Sequence, residues 1–368
     1  MIILKEHEFT PFQDKFKLSV RQIDDWDYFT IQYQKSLKLL NDTALNFRYS
    51  LNSKSYPYLF LLRHYCELKL KGILAKRNIN IPTSHNFQDI IPLLTDAPEE
   101  LKKAIKIISF DNDGSCFRYL CDKNRNPGPL YGTRQEISTF YEIASKLEDN
   151  PEYALNLDIV EPINNRVKNE LLFHFNEIVF EGQFRSVYDD MIRFLINSVI
   201  EDKIKAEEIY LPLFYLIRHS MELALKSSLL ELLHSIPDEK KVSLQRLINN
   251  EHKLSRLFNK YIEYIPEDKL SNLPTQLHTE YKRLKDDTEI LKSCIHNLDT
   301  NSRAFTFPGT EASSGFKLEQ NSLVEIITIF LRVDAFLTFN VELLKEHDII
   351  SFSDEEIAEM MGYFPHYE

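Results

Sequence analysis

Two stretches of this chain decide its fold: residues 57–74 read PYLFLLRHYCELKLKGIL, and residues 212–229 read PLFYLIRHSMELALKSSL. A shift of 155 residues aligns them without a gap, and the alignment holds from Tyr33 to Leu74. The matched polar residues are Arg63 with Arg218, His64 with His219, Glu67 with Glu222, and Lys71 with Lys226. Matched charges within matched apolar spacing predict an internal duplication.

The repeated stretch has the periodicity of a helix, and its charges fall on the apolar face. At about 100° per residue, Arg63 and Glu67 lie in line with Leu59, Leu70 and Leu74. An arginine and a glutamate four residues apart can form an ion pair, but burying both is costly unless other groups also bond them. The sequence therefore predicts a buried polar network in each copy.

Three interpretations of this network are open. The charges lock helix register or pair the two copies, which is a structural role. Alternatively, Arg63 and Arg218 line a cleft for an anionic ligand such as RNA or a nucleotide, because an arginine fork suits phosphate. The third is a metal site, because His64 and Glu67, like their counterparts in the second copy, have the one-turn spacing of bundle metal sites.

Two histidines form a further repeated landmark, since His85 and His252 each precede an amphipathic helical stretch. They are either capping or surface histidines, or general acids or bases that face a cleft. Arg246 precedes His252 by six residues, and the first copy has no arginine at the matching place, where Ile79 stands.

A loop also recurs, with residues 111–119 matching residues 299–307. Thr306 stands where the first loop has Arg118, and Phe307 stands where it has Tyr119. The aromatic side chains either anchor each loop on the core or stack on bases, and Arg118 is a candidate phosphate ligand.

Composition favours a helical protein and argues against broad DNA binding. Only 8 of 368 residues are glycine, although sheet proteins of this size spend more glycine on turns. The formal net charge of −12 repels nucleic acid at long range. Glu325 and Arg332 interrupt the most apolar late segment, so no membrane span is expected there. The sequence shows no signal peptide and no paired-cysteine framework, which predicts a cytoplasmic protein.

The predicted architecture is all-α, with two tandem, pseudo-twofold-related helical bundles. The predicted domains are a first unit at 1–155, a second unit at 156–345 and an acidic tail at 346–368, with a short helix at 353–361. Helices are predicted at 28–40, 57–74, 87–94, 136–147, 169–180, 187–200, 211–233, 254–261, 281–296 and 322–344.

The repeated helix, the histidine that opens the next helix and the Phe-Arg-Tyr loop at 117–119 together resemble bacterial proteins of the HEPN superfamily. The resemblance covers residues 33–119 and 188–308. It implies a helical bundle of toxin, abortive-infection or antiphage-defence systems, and many such proteins are metal-independent ribonucleases with a paired Arg-x(4–6)-His motif. Only Arg246 and His252 approach that motif here, and family members without it are thought to bind RNA, nucleotides or partners without cutting.

Two functions are therefore predicted in competition, and neither needs a cofactor or metal. In the first, a HEPN-like antiphage effector cuts RNA as a metal-independent endoribonuclease. His64, His219 or His252 acts as its base, and Arg63 or Arg218 stabilises the phosphate charge. The candidate ligand-binding residues around them are Glu67, Glu222, Lys71, Lys226, His85, Arg118 and Tyr119.

In the second, the chain is a non-catalytic helical scaffold or sensor for a protein or nucleotide ligand. A protein partner from a defence operon fits either function. The scaffold predicts that Arg63 and Arg218 are fully buried and bonded to glutamate and backbone carbonyls.

Overall fold

The computed structural model describes residues 5–18, 25–44, 51–109, 111, 114–119, 134–157, 172–174, 181–298, 304–308 and 321–352. Its helices are α1 (Glu6–Phe9), α2 (Trp26–Ala44), α3 (Leu51–Lys76), α4 (Phe87–Ile90), α5 (Glu99–Ile108), α6 (Cys116–Tyr119), α7 (Ser138–Ala144), α8 (Glu181–Ile200), α9 (Tyr210–Leu232), α10 (Asp238–Asn250), α11 (Leu254–Tyr264), α12 (Thr275–Leu298) and α13 (Ser322–Glu346). Short 3-10 turns follow several of them. The predicted all-α class is confirmed.

One short antiparallel strand pair interrupts the helical pattern. Strand β1 (Arg134–Glu136) pairs with strand β2 (Leu172–His174), with Gln135 opposite Phe173. The helix predicted at 169–180 is therefore wrong at 172–174, and the rest of that prediction lies outside the described residues. An apolar run this short does not distinguish a strand from a helix by periodicity.

The chain forms two compact units. The larger unit comprises residues 12–219 and 303–323, and the smaller unit comprises residues 1–11, 220–302 and 324–368. Each unit combines segments that are far apart in the sequence, so the order of the units along the chain differs from that of the predicted domains. Helix α9 begins in the larger unit and ends in the smaller one.

Helix α3 is the central helix of the larger unit. Every residue from 56 to 68 is buried, which is the pattern of a helix surrounded by other elements. Helix α2 packs along it, and α8 and α6 also contact it. The helix begins at Leu51, six residues before Pro57, so the proline lies inside the helix rather than at the predicted start. Pro57 has no N–H group, and the helix lacks one backbone hydrogen bond there.

Two helices show how the sequence sets the packing faces. In α5, the buried residues Leu101, Ala104, Ile105 and Ile108 follow the i, i+3, i+4, i+7 pattern of one apolar face. Helix α5 uses this face in the larger unit, where it packs against α7. In the smaller unit, α11 buries Leu254, Leu257, Phe258 and Tyr261 and packs against α12.

Candidate functional site

Arg63 lies at the centre of a buried polar cluster in the larger unit. Only 3% of its side chain is exposed. Its Nε donates to the Asp111 carbonyl at 2.7 Å, and its Nη2 donates to the His85 carbonyl at 2.5 Å. Its Nη1 donates to Glu67 Oε2 at 3.1 Å. Each guanidinium nitrogen therefore has a partner within the protein, as the scaffold hypothesis predicts.

Glu67 is the shared acceptor of this cluster. Besides Arg63, it accepts a hydrogen bond from Nδ1 of His85 at 2.8 Å and pairs with Nζ of Lys71 at 2.8 Å. Burial alone would raise the pKa of Glu67, but the His85 hydrogen bond and the charges of Arg63 and Lys71 outweigh it. The net effect holds the pKa well below its usual range. Glu67 is thus an ionised carboxylate with three partners.

A tight turn brings the Asp111 loop onto the guanidinium. The Asp111 carboxylate accepts from the backbone N–H groups of Cys116 and Phe117, at 3.1 and 3.3 Å. Gly114 has a φ of 76°, and a Cβ atom there would lie 3.1 Å from Nη1 of Arg63. Burial raises the pKa of the Asp111 carboxyl group. Asp111 and Gly114 therefore lie directly against the Arg63 guanidinium, and at Gly114 the approach is too close for a further side-chain carbon.

His85 differs from the rest of the cluster because 35% of its side chain is exposed. The following residue, Asn86, caps α4 by accepting from the Gln88 N–H at 2.9 Å. The capping role therefore belongs to Asn86. His85 instead presents a half-exposed imidazole whose Nδ1 is held by the buried carboxylate of Glu67.

The second copy builds the same carboxylate–imidazole pair in the smaller unit. Nδ1 of His252 lies 2.9 Å from Oε1 of Glu222, and Nζ of Lys226 lies 3.0 Å from the same oxygen. Glu222 and Lys226 are buried, whereas 48% of the His252 side chain is exposed. Arg218, the counterpart of Arg63, belongs to the larger unit and is buried.

His64 and His219, which directly follow the two arginines in the sequence, are buried, unlike the partly exposed His85 and His252. His64 is buried, and its Nε2 donates to the Thr306 carbonyl at 2.9 Å. Phe60 stacks on one face of its ring, and Tyr33 meets it edge-on. Burial lowers the pKa of His64 to about 3, so the imidazole is neutral at pH 7.

His219 has matching contacts within the larger unit. Its Nε2 donates to the Arg118 carbonyl at 3.0 Å. Tyr215 stacks on its ring and Tyr188 meets it edge-on. Each helix histidine therefore binds a backbone carbonyl of the loop that the sequence alignment assigns to the other copy.

Two further contacts repeat this exchange, and a third contact stacks two matched helix residues. The hydroxyl group of Tyr33 donates to the Phe305 carbonyl at 3.0 Å, and that of Tyr188 donates to the Phe117 carbonyl at 2.5 Å. Phe60 and Tyr215, which the alignment matches to each other, stack with ring centroids 4.5 Å apart. The alignment matches these residues in pairs, but a sequence alone gives no signal that the two tyrosines contact the opposite loops or that the two rings stack.

The remaining candidates of the first loop pack against the protein. Nε of Arg118 donates to the Gly114 carbonyl at 2.8 Å, and its guanidinium lies 5.3 Å from the Tyr119 ring centroid. The Tyr119 ring meets His219 edge-on at 5.3 Å. Both side chains are half-buried, which is the placement of loop anchors.

Arg246 and His252, the nearest match to the ribonuclease motif, lie on either side of a helix end. Arg246 is an exposed residue of α10, which ends at Asn250. The backbone N–H of His252 donates to Glu251, while its ring is held by Glu222. The His252 imidazole is thus bonded to Glu222 of α9.

Within the described part of the chain, no three histidine, cysteine, aspartate or glutamate side chains are grouped closely enough to hold a metal ion. In the same residues, no helix has the length and apolar character that crossing a membrane requires. Comparisons with protein-family models, curated proteins and solved structures found no match to this chain.

Proposed function

We propose that this chain is a HEPN-like helical scaffold or sensor that binds a partner or ligand without cutting RNA. The observation that carries the proposal is that each guanidinium nitrogen of the buried Arg63 is bonded within the protein, to Glu67 or to one of two backbone carbonyls. An arginine that stabilises phosphate charge needs guanidinium N–H groups directed at the ligand.

The surroundings of His64 support the same proposal. A general base must reach the proton that it abstracts. His64 is buried between aromatic rings, and its Nε2 is already bonded to the Thr306 carbonyl. His219 has an equivalent bond to Arg118. In this proposal the repeated Arg-His pair stabilises the bundle, and any ligand chemistry belongs to the half-exposed His85 and His252.

The reciprocal contacts also support two related halves, predicted at 1–155 and 156–345, that are paired by a pseudo-twofold axis. Tyr33 and His64 of the first half contact the loop at 305–306, and Tyr188 and His219 of the second contact the loop at 117–118. A role in bacterial antiphage defence, with a protein partner from the same operon, follows from the resemblance and forms part of the proposal.

Incubation of the purified full-length chain with total RNA in EDTA tests the scaffold. We expect the RNA to remain intact over hours, while a metal-independent ribonuclease run in parallel degrades it. RNA cleavage that is lost in a variant carrying both His85→Ala and His252→Ala would overturn the proposal.

A second candidate, the metal-independent endoribonuclease, is favoured by one observation. Nδ1 of His85 and of His252 is held by a buried glutamate, while each ring is partly exposed. A carboxylate that orients an imidazole is the arrangement of a positioned general base. This candidate moves the base from His64 and His219 to His85 and His252.

The two placements of the base are separable by paired variants. If the endoribonuclease is correct, the variant with both His85→Ala and His252→Ala loses cleavage and stays folded. The same enzyme with His85→Ala alone keeps activity that depends on His252. Folding is checked by circular dichroism, and a cleavage rate that no histidine variant changes would exclude this site.

A further inference from the structure

An open groove of about 620 Å³ lies in the smaller unit, between the end of α9 and helix α10. Leu233 and Val242 contribute apolar surface, and three amide side chains of α10 contribute polar groups. The basic side chains of His234, Lys241 and Arg246 line the same groove. Neither proposed function uses these residues.

The groove combines positive charge with exposed apolar surface. It collects cationic groups on a chain whose formal net charge is −12. Lys241 is paired with Asp238 at 2.7 Å, but among the described residues Arg246 and His234 have no carboxylate within 4.0 Å. Beside them, 79% of the Val242 side chain surface is exposed to solvent. Positive charge next to exposed apolar surface is complementary to an acidic amphipathic segment.

The chain itself contains such a segment at residues 353–361, which read SDEEIAEMM. Its acidic positions are 354, 355, 356 and 359, and its apolar positions are Ile357, Met360 and Met361. The apolar positions follow i, i+3, i+4 spacing, which places them on one face if the segment is helical. This segment lies outside the described residues.

A pair of hydrogen bonds places the start of this segment beside the groove. The backbone N–H of Ser351 donates to Oγ of Ser235 at 2.8 Å, and that hydroxyl group donates to the Ser351 carbonyl at 3.4 Å. Ser235 directly follows His234 and Leu233, which line the groove. Nine helical residues span about 13 Å, which is long enough for a segment that begins two residues after Ser351 to extend along a groove of this volume.

We propose that the groove formed by α10 and the end of α9 is a docking site for the acidic amphipathic segment 353–361 of this same chain. Arg246 and His234 bind its carboxylates, and Val242 and Leu233 cover its apolar face. A phosphate-bearing ligand would match the cations but would leave the apolar surface uncovered. This inference is independent of the function proposed above.

Amide hydrogen exchange of residues 353–361 in the full-length chain tests the proposal. We expect these amides to be protected, and Arg246→Glu to speed their exchange by about fivefold or more, the effect of losing an exposed ion pair and gaining a repulsion. Lys282→Glu is the matched control, because Lys282 is an exposed cation of α12 outside the groove. Reversing the partner charges with Glu355→Lys and Glu356→Lys in the Arg246→Glu chain should restore protection.

The proposal is overturned if residues 353–361 exchange like an unprotected peptide in the unaltered chain. It is also overturned if Arg246→Glu changes nothing, if Lys282→Glu has the same effect, or if the charge reversal restores nothing. An oligouridine probe separates the nucleic-acid alternative. Binding of this probe that Arg246→Glu abolishes, with no protection of 353–361, would assign the groove to nucleic acid instead.

Discussion

His64 and His85 both lie around the Arg63 cluster, and they show two opposite uses of one residue type. His64 is buried among aromatic rings and bonded to a backbone carbonyl, and its pKa is lowered to about 3. His85 keeps 35% of its side chain exposed and is bonded to an ionised carboxylate. The comparison teaches that the repeated Arg-His pair belongs to the core, whereas the histidine that precedes the next helix faces solvent.

Removal of Glu67 should have the largest effect, because it removes the shared acceptor of Arg63, Lys71 and His85. Glu67→Ala leaves Arg63 and Lys71 buried without their carboxylate, and we expect it to lower the free energy of unfolding by about 3–5 kcal/mol. Urea denaturation measures this change. Glu152→Ala is the control, because Glu152 forms an exposed pair with Arg77, and such pairs contribute about 1 kcal/mol or less. Equal losses in both variants would show that the cluster is not a stabilising core feature.

The next largest effect is a difference in unfolding free energy between variants of His64 and His85. His64→Ala leaves a cavity between aromatic rings and an unbonded Thr306 carbonyl, so we expect a loss of about 2–4 kcal/mol in unfolding free energy. His85→Ala leaves Glu67 paired with Arg63 and Lys71, and we expect a loss of about 1 kcal/mol. Thermal and urea unfolding of both variants decide the comparison. A larger loss for His85→Ala would contradict the assignment of His64 to the core.

A smaller effect is expected from the glycine that lies against Arg63. Gly114→Ala places a Cβ atom 3.1 Å from Nη1 of Arg63 in a left-handed conformation, and we expect a loss of about 1–2 kcal/mol. Gly72→Ala is the matched control, because that glycine is helical and its Cβ would make an ordinary contact with Trp26. Gly72→Ala should be neutral or stabilising by up to about 1 kcal/mol. A larger loss of unfolding free energy in Gly72→Ala than in Gly114→Ala would refute the close approach of Gly114 to Arg63.

The last effect is a pH dependence, which is spread over two pH units. The pKa of His64 is about 3 in the folded chain and about 6.5 when unfolded, so the unfolded state binds more protons between these values. The free energy of unfolding should therefore fall as the pH is lowered from 7 to 5, by at most about 1.4 kcal/mol per pH unit. His64→Gln should flatten this slope in urea titrations, whereas His234→Gln, which changes an exposed histidine, should not. A slope that is unchanged in His64→Gln would show that His64 is not the titrating group.

Local features of the fold were predictable because helical periodicity depends on neighbouring residues. The pattern at 322–344 predicted the helix observed at Ser322–Glu346, and the helical wheel placed Arg63 and Glu67 on the buried face where they bond. The prediction near Pro57 was wrong by six residues, because the preceding turn has no strong apolar pattern.

The partners of the site residues were not predictable, because they come from distant parts of the chain. Periodicity gives no information on which loop reaches a helix. Thr306 is bonded to His64 across 242 residues, and Asp111 is bonded to Arg63 across 48. The Thr306 loop contributes to the surroundings of His64, so the sequence alone left open a catalytic role for this histidine that its surroundings do not support.

The reciprocal histidine contacts also show how two loops with different side chains can serve the same purpose. His64 and His219 each recognise a carbonyl oxygen, which every amino acid possesses. The residue that supplies the carbonyl is Thr306 in one loop and Arg118 in the other, and the hydrogen bond is the same within 0.1 Å. Because the acceptor is a backbone atom, a substitution at either loop position leaves the acceptor of the histidine in place, and the two side chains there can differ while both hydrogen bonds remain.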